Sequence, residues 1–268
     1  MIRISPHQRD FIYKLYLKSA KIKFPLIMAV IKGLQEGEVF INKGGNLVFV
    51  INKFGFCQLV GKLDDLTLVE DFIENILFSK EYLNNYLLWY DVSEEIKDSL
   101  RQQNFENFRD RVRIQMKLDV ESFKQYSSGN KIQIDQKFTL EKLRIDHFPY
   151  TSHLGLDLDI RFWRSAEDLI SNGFGYCITD QKKVVSICYS ACIVDRITEI
   201  DVITDKEYQG NNFGKVVTDA FIHYSIEKDY KPNWDCFDYN SPSLKIARKM
   251  GFVDSHYYSL CSFNRFNP

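Results

Sequence analysis

No segment narrows the possible architectures as much as EIDVITDKEYQGNNFGKVVTDAFI, Glu199 to Ile222. Its first six residues alternate along a strand. Glu199, Asp201 and Ile203 face one way, and Ile200, Val202 and Thr204 face the other. From Phe213 onward, apolar residues recur at helical spacing. Between the two lies YQGNNFGK, Tyr208 to Lys215. Gly210 and Gly214 carry no side chain there, and Asn211 and Asn212 tolerate left-handed backbone. A strand that enters a helix through a bare turn leaves unpaired N–H groups and the positive end of the helix dipole at the turn. Two uses fit such a turn: a cradle for phosphate, or a polar loop capping a structural helix.

The familiar nucleotide loops do not match. A Walker loop needs four residues between its glycines and Ser or Thr after the lysine. Here Gly210 and Gly214 are one residue too close, and Val216 follows Lys215. The dinucleotide pattern Gly-x-Gly-x-x-Gly is absent as well.

The rest of the second half gives the turn its setting. RFWRSAEDLISNG reads as a helix capped by Ser165 and stopped by Gly173, and FGYCITDQKKVVSICYSACI as two strands around a polar turn. NWDCFDYN then reads as a strand, SPSLKIARKM as a short helix and FVDSHYYSLCSF as a last strand. Three strands, helix, strand, helix, strand make a mixed α/β sheet unit.

The first half reads similarly. A helix is expected near Pro6 to Ser19, and FPLIMAVIKGLQEG as a second, stopped by Gly37. A meander over EVFINKGGNLVFVINKFGFCQLVG follows, then a helix led by Asp65, a strand at NYLLWYDV, a helix capped by Ser93 and a strand at DRVRIQMKLDV. The polar SerSerGlyAsn at 127–130 is the expected linker, which divides the chain at 1–130 and 136–268. The shared order of elements is that of a divergent duplication.

Composition removes several classes of function. The formal net charge is -1 over 268 residues and the basic residues are scattered, so nothing marks a nucleic-acid surface. The longest apolar run near the start, FPLIMAVI, is too short to span a bilayer, and the opening lacks a signal-peptide core. A cytoplasmic protein with no membrane partner is expected. Six cysteines with no Cys-x-x-Cys pair read as buried free thiols, with neither a disulfide framework nor a metal site. Cys188 and Cys192, at even spacing on one strand, are expected to share a face.

A second motif decides between the two uses of the turn. Tyr208-Gln209-Gly210-Asn211-Asn212-Phe213-Gly214 resembles the acetyl-CoA loop of the GNAT (GCN5-related) N-acetyltransferases, Gln/Arg-x-x-Gly-x-Gly/Ala. Downstream, Asn240-Ser241-Pro242-Ser243 followed by Ala247-Arg248-Lys249-Met250-Gly251-Phe252 resembles that family's strand asparagine and the helix that follows it. With GFGYCITD, FPLIMAVIKGLQEGEVFIN and GFCQLVG, the chain is similar to the two-part bacterial GNAT acetyltransferases over most of its length.

That resemblance implies an α/β (α+β) fold of two tandem GNAT-like domains, each a mixed, mostly antiparallel sheet flanked by helices. The loop motif is absent from residues 1–130, and residues 136–268 would be catalytic. The implied co-substrate is acetyl-CoA, without a metal, and the implied acceptor is a small primary amine. A non-catalytic acyl-CoA-binding or partner-binding protein on the same fold is the alternative. Amides of Gln209, Gly210, Asn211, Asn212, Phe213, Gly214 and Lys215 would hold the diphosphate. Backbone groups of Val202, Ile203 and Thr204 would pair with the pantetheine arm, with an N–H near Ile203 at the thioester oxygen. Asn240 would bond the arm or a strand carbonyl, and Ser243 would cap the helix after it or sit near the cofactor. Glu199 is the first candidate for the base and Asp201 the second. Two positions depart from the family pattern. Asn212 replaces the first loop glycine. Ala247 stands where many members carry the tyrosine that protonates the leaving thiolate, so the general acid is unassigned.

Overall fold

The computed structural model describes residues 1–78, 84–103, 105–129, 133–155 and 161–266. The chain divides into two compact units: Met1–Arg113 with Tyr257–Pro268, and Ile114–His256.

In the first unit, strand β1 (Ile2–Arg3) precedes helices α1 (Asp10–Ser19) and α2 (Pro25–Ile31). The meander β2 (Gly37–Ile41), β3 (Leu47–Asn52) and β4 (Phe56–Gly61) follows, then α3 (Leu66–Phe72), β5 (Tyr86–Tyr90) and α4 (Glu94–Gln102). The strand order is β1-β2-β3-β4-β5, and residues 260–264 of the last strand pair with β5. All of these pairings are antiparallel except β4 with β5, whose parallel pairing is confined to Phe56↔Leu88 and Cys57↔Trp89. Phe49, Phe72, Trp89 and Phe263 fill the core. Helix α2 ends at Ile31, earlier than the expected stop at Gly37. Gly33, at φ +71°, takes the left-handed turn that ends helices, and Gly37 already belongs to β2.

Strand β6 (Glu106–Leu118) carries the chain into the second unit, followed by α5 (Val120–Gly129). Ser127, Ser128 and Gly129, expected in a linker, end this helix, and Asn130 lies outside the described residues. Next come β7 (Phe138–Lys142), α6 (Ala166–Asn172), β8 (Gly175–Asp180), β9 (Lys183–Val194) and β10 (Ile197–Thr204). The unit closes with α7 (Phe213–Glu227), β11 (Lys231–Phe237), α8 (Ser241–Lys249) and the start of β12 (Phe252–Asn264). The order here is β6-β11-β10-β9-β8-β7. The β7–β8, β8–β9 and β9–β10 pairings are antiparallel. Pairing of β10 with β11 is parallel, as in the expected mixed α/β sheet.

The meander, helix, parallel strand and helix therefore occur once in each unit. In the second, α7 packs on the sheet through Val217, Phe221 and Ile222, against Phe174, Cys188 and Ile200. The caps read from sequence are present: Ser165 accepts from the Asp168 amide, Ser93 from Ile96 and Asp65 from Leu68. Gly173 is extended. It is glycine because a β carbon would lie 2.7 Å from Ser190 Oγ and 2.9 Å from Leu169 O.

All six cysteines are free and buried. Cys188 and Cys192 do not share a face through simple alternation. Cys188 pairs with Val202 and Cys192 with Glu199, and the register shifts by one residue between them at Ala191. A bulge of this kind reverses the parity of the strand. Among the described residues, no helix is long and apolar enough to cross a membrane.

Candidate functional site

Strands β10 and β11 hold together for only three rungs, Ile197↔Lys231, Thr198↔Pro232 and Glu199↔Asn233. Beyond Glu199, β10 continues to Thr204 paired with β9 alone. Asp205 N–H donates to the Val185 carbonyl, and the Ser186 hydroxyl donates to the Ile203 carbonyl. Backbone groups of Ile203 and Asp201 therefore point to β9, and by alternation those of Ile200, Val202 and Thr204 point to the open edge. The amide exposed on this stretch of the open edge is therefore that of Val202, because Ile203 spends its own backbone groups inside the sheet.

The open edge runs into the turn. Asp205 accepts from the Glu207 amide and is gripped by Lys183 Nζ at 2.8 Å, with His153 Nε2 at 3.4 Å. The Lys183 ammonium holds the Asp205 carboxyl below the usual carboxylate range. The Tyr208 hydroxyl donates to Asp180 at 2.9 Å. Gln209 is extended, Gly210 has φ +85°, and Asn212 has φ +60°, in the left-handed region. Asparagine at 212 thus takes the backbone shape that a glycine would supply. Among the described residues, the amides of Gly210, Asn211, Asn212, Phe213 and Gly214 donate to no backbone carbonyl outside the helix, and the first turn of α7 has no partners for them within it.

These features surround one cavity of about 790 Å³. Of the residues expected to hold a cofactor, Val202, Ile203, Thr204, Gln209, Gly210 and Asn212 line it. So do Phe213, Gly214, Lys215, Asn240 and Ser243. Asn211 does not; its side chain donates back to the Tyr208 carbonyl. Phe213 is also a core anchor, edge-on to Phe138 at 4.7 Å between ring centroids. Asn240 is itself the cap of α8, accepting from the Ser243 amide at 3.3 Å, while Ser243 Oγ accepts from Trp234 Nε1 at 3.0 Å. The capping role considered for Ser243 thus falls to Asn240.

Sequence reasoning missed the contribution of α8. Pro242, Lys245, Ile246 and Lys249 line the cavity, at the i, i+3, i+4, i+7 spacing of one helix face. Lys215, Lys245 and Lys249 therefore stand around a space already bordered by unpaired amides. Burial, with a smaller effect from Lys249, lowers the Lys215 ammonium below its ordinary value. The Lys215 ammonium also donates to Asn212 Oδ1 at 2.5 Å.

The two candidate bases do not line this cavity. Glu199 is 8 % exposed and accepts from Asn233 Nδ2 at 2.6 Å, at the last rung before the strands part. Asp201 lies two residues on, accepting from the Tyr189 hydroxyl at 2.7 Å with Arg161 Nε at 3.6 Å. Burial and the Asp201 charge push the Tyr189 phenol well above its ordinary value, so it stays a donor. Ala247 is fully buried among the core residues beneath α8. Neither tyrosine of the adjacent pair on the last strand takes the place of that missing acid in the second unit: Tyr258 is buried against Phe24 and Tyr90 in the first unit, and its neighbour Tyr257 also belongs to that unit.

His147 and His223 have partners within the fold. His147 meets Glu141, Cys177 and the Arg144 amide, and burial pushes the Cys177 thiol up to about 12. His223 contacts Ser127 at 2.7 Å and Asp219 at 3.7 Å through the same Nε2, which is not the relay geometry of a catalytic triad. Among the described residues, no three His, Cys, Asp or Glu side chains form a group suited to a metal ion.

The first unit closes the equivalent place differently. Its β4–α3 turn reads Lys62-Leu63-Asp64-Asp65, and the Asp65 carboxylate caps α3. A carboxylate at that helix start occupies and repels where an anion would bind.

Comparison with known proteins identifies the family and the fold. A family model described as GNAT acetyltransferase matches residues 18–261. A curated relative, the uncharacterized N-acetyltransferase YdfB of Bacillus subtilis (strain 168), is 27% identical over 146 residues. That match covers 54% of this chain and 56% of the relative, so the chain spans about half the length of the curated relative it matches. A GCN5-related N-acetyltransferase-like protein from Streptococcus suis 89/1591 superimposes with a TM-score of 0.69 at 18% identity, covering 96% of this chain and 99% of that one. A tandem GNAT protein from the clavulanic acid biosynthesis pathway gives 0.63 at 8% identity, covering 100% and 98%. At these identities the structural likeness speaks to fold alone.

Proposed function

The chain belongs to the GNAT acetyltransferase family, and on that premise we propose that it transfers the acetyl group of acetyl-CoA to the primary amine of a small acceptor. One observation carries the reading: Gly210, Asn212, Phe213 and Gly214, whose amides have no backbone partner among the described residues, border a cavity of about 790 Å³ together with Lys215, Lys245 and Lys249. Amides at a helix start and three ammonium groups suit a diphosphate. The residues fit the co-substrate in a second way. The open edge of β10 offers backbone groups to an extended arm as a neighbouring strand would.

Bound acetyl-CoA supplies an activated acyl carbon and a thiolate leaving group. The amides of Gly210, Asn212, Phe213 and Gly214 hold its diphosphate with the Lys215 ammonium, and Val202 and Thr204 hold its arm; the Gln209 and Lys215 amides, expected among the donors, already bond the Lys206 and Asn212 carbonyls. The Val202 amide donates to the carbonyl oxygen as negative charge gathers there. Glu199 takes the proton that the amine loses as its nitrogen bonds the acetyl carbon and the carbon–sulfur bond breaks. An aliphatic ammonium has a pKa of about 10, so such a base is needed near neutral pH. No side chain is assigned to protonate the thiolate, since Ala247 is buried in the core. The catalytic half, expected at 136–268, is taken in this reading as the compact unit Ile114–His256, since Tyr257–Pro268 cluster with the first unit; the first unit, with its carboxylate-capped turn, does not bind the co-substrate.

Titration calorimetry with acetyl-CoA tests the first step, and no detectable binding ends the proposal. Thioester cleavage over a panel of small amines tests the second. Binding without turnover on any amine favours the alternative of a non-catalytic acyl-CoA-binding protein, for which Ala247 is the one specific sign.

A further inference from the structure

Glu199 and Asn233 are Cα partners in the last rung that joins β10 to β11. Their side chains meet as well, with Asn233 Nδ2 donating to Glu199 Oε2 at 2.6 Å, and the residues are 8 % and 7 % exposed. Asn233 also lines a second cavity, of about 250 Å³, with Ile197 and Pro232. The two strands therefore part at a point where a carboxylate on one is clasped by an amide on the other.

The chemistry of that clasp is specific. Burial favours the neutral carboxylic acid, and a hydrogen bond donated to the carboxylate favours the charged form. An ammonium or guanidinium in place of the amide would hold the charge more strongly and depress basicity. A second carboxylate would repel it. A neutral amide opposes the effect of burial without the full charge of a cation. On the other side Glu199 pairs with Cys192 of β9, whose thiol burial and the Glu199 charge push well above its ordinary value, so it stays neutral there.

We propose that Asn233 is a positioning residue, whose side-chain amide orients the Glu199 carboxylate at the vertex of the two strands and keeps it ionised for proton transfer from the acceptor. This rests on the reading of Glu199 as the base. Asn233 itself touches neither reacting group.

The test titrates Glu199 directly, by carbon-13 NMR of side-chain-labelled glutamate, with Glu199→Gln assigning the signal. The midpoint rises by about one pH unit in Asn233→Ala, from loss of one hydrogen bond to a charged group. It rises further in Asn233→Asp, where a second carboxylate faces the first. The acid limb of kcat/KM moves up in parallel, while affinity for acetyl-CoA stays within about twofold. The near-isosteric Asn233→Asp serves should the alanine variant fold poorly. An unmoved midpoint in both variants overturns the proposal. Full turnover by Glu199→Gln instead removes the base reading, so the two failures are told apart.

Discussion

A β carbon on Gly214 would lie 3.2 Å from Cδ1 of Ile246 and 3.3 Å from Oγ1 of Thr204. The bare first turn of α7 is what lets helix, strand end and α8 meet around the cavity. The end of the Ile246 side chain can yield by a few tenths of an ångström. Gly214→Ala is therefore expected to bind acetyl-CoA within about fivefold of the native protein. Gly214→Val overpacks the same contact, at a cost of about 1–3 kcal/mol, and weakens binding by about tenfold or more. Calorimetry on samples with native circular dichroism measures both, and native affinity in the valine variant would contradict the assignment of this turn.

Asn212 poses a different question, because its strain lies in the backbone. At φ +60° glycine is at ease and asparagine nearly so. Asn212→Gly should leave acetyl-CoA affinity within about threefold. Asn212→Val places a β-branched residue in the left-handed region at about 1–2 kcal/mol and removes the Lys215 contact. A fall in Tm of about 2–8 °C is expected, with weakened binding. Equal behaviour of the two variants in thermal melts and titrations would refute the backbone argument.

Lys215 should make binding fall off at less alkaline pH than an ordinary lysine would. Its folded-state value is lowered by burial and then by Lys249. A bound diphosphate favours the charged ammonium and raises that value. Affinity is thus full while Lys215 is protonated in the free protein and declines as pH rises through the lowered value. Stability without ligand moves the other way, rising with pH over that window, since the unfolded chain holds the proton longer. Calorimetry at alkaline pH, below the ordinary lysine value, in two buffers of different ionisation heat should show proton uptake on binding. Lys249→Met should shift the decline upward. Absence of uptake would place Lys215 away from the anion.

Glu199 and Asp201 can be separated by kinetics. Removing a general base costs typically 10²–10⁴-fold, so Glu199→Gln should lower kcat by about a hundredfold or more. Asp201→Asn keeps a hydrogen-bond acceptor for the Tyr189 hydroxyl and should cost less than about tenfold. Unchanged acetyl-CoA affinity in both would locate the losses in chemistry. The reverse order of effects would make Asp201 the base.

Much of this was legible in the chain. The period change at Phe213 gave α7, Ser93, Ser165 and Asp65 marked helix starts, and the spacing of Gly210 and Gly214 gave the turn. What escaped depended on the third dimension. Lys245 and Lys249 are ordinary surface lysines until α8 is laid beside α7. The register shift at Ala191 has no signature in a run of apolar residues, yet it decides which face Cys192 occupies. The direction of the Ile203 amide follows from which neighbour β10 pairs with, and the sequence names no neighbour. The Glu199–Asn233 clasp joins residues 34 positions apart that only the parallel pairing brings together.

Residues 260–264 belong to the first unit, where they pair with Tyr86–Tyr90 beside β5. During synthesis that strand leaves the ribosome only after every residue of Ile114–His256. The first unit therefore stays one strand short while the second is being made, and a break in the chain anywhere between the two pieces would separate it from its own sheet.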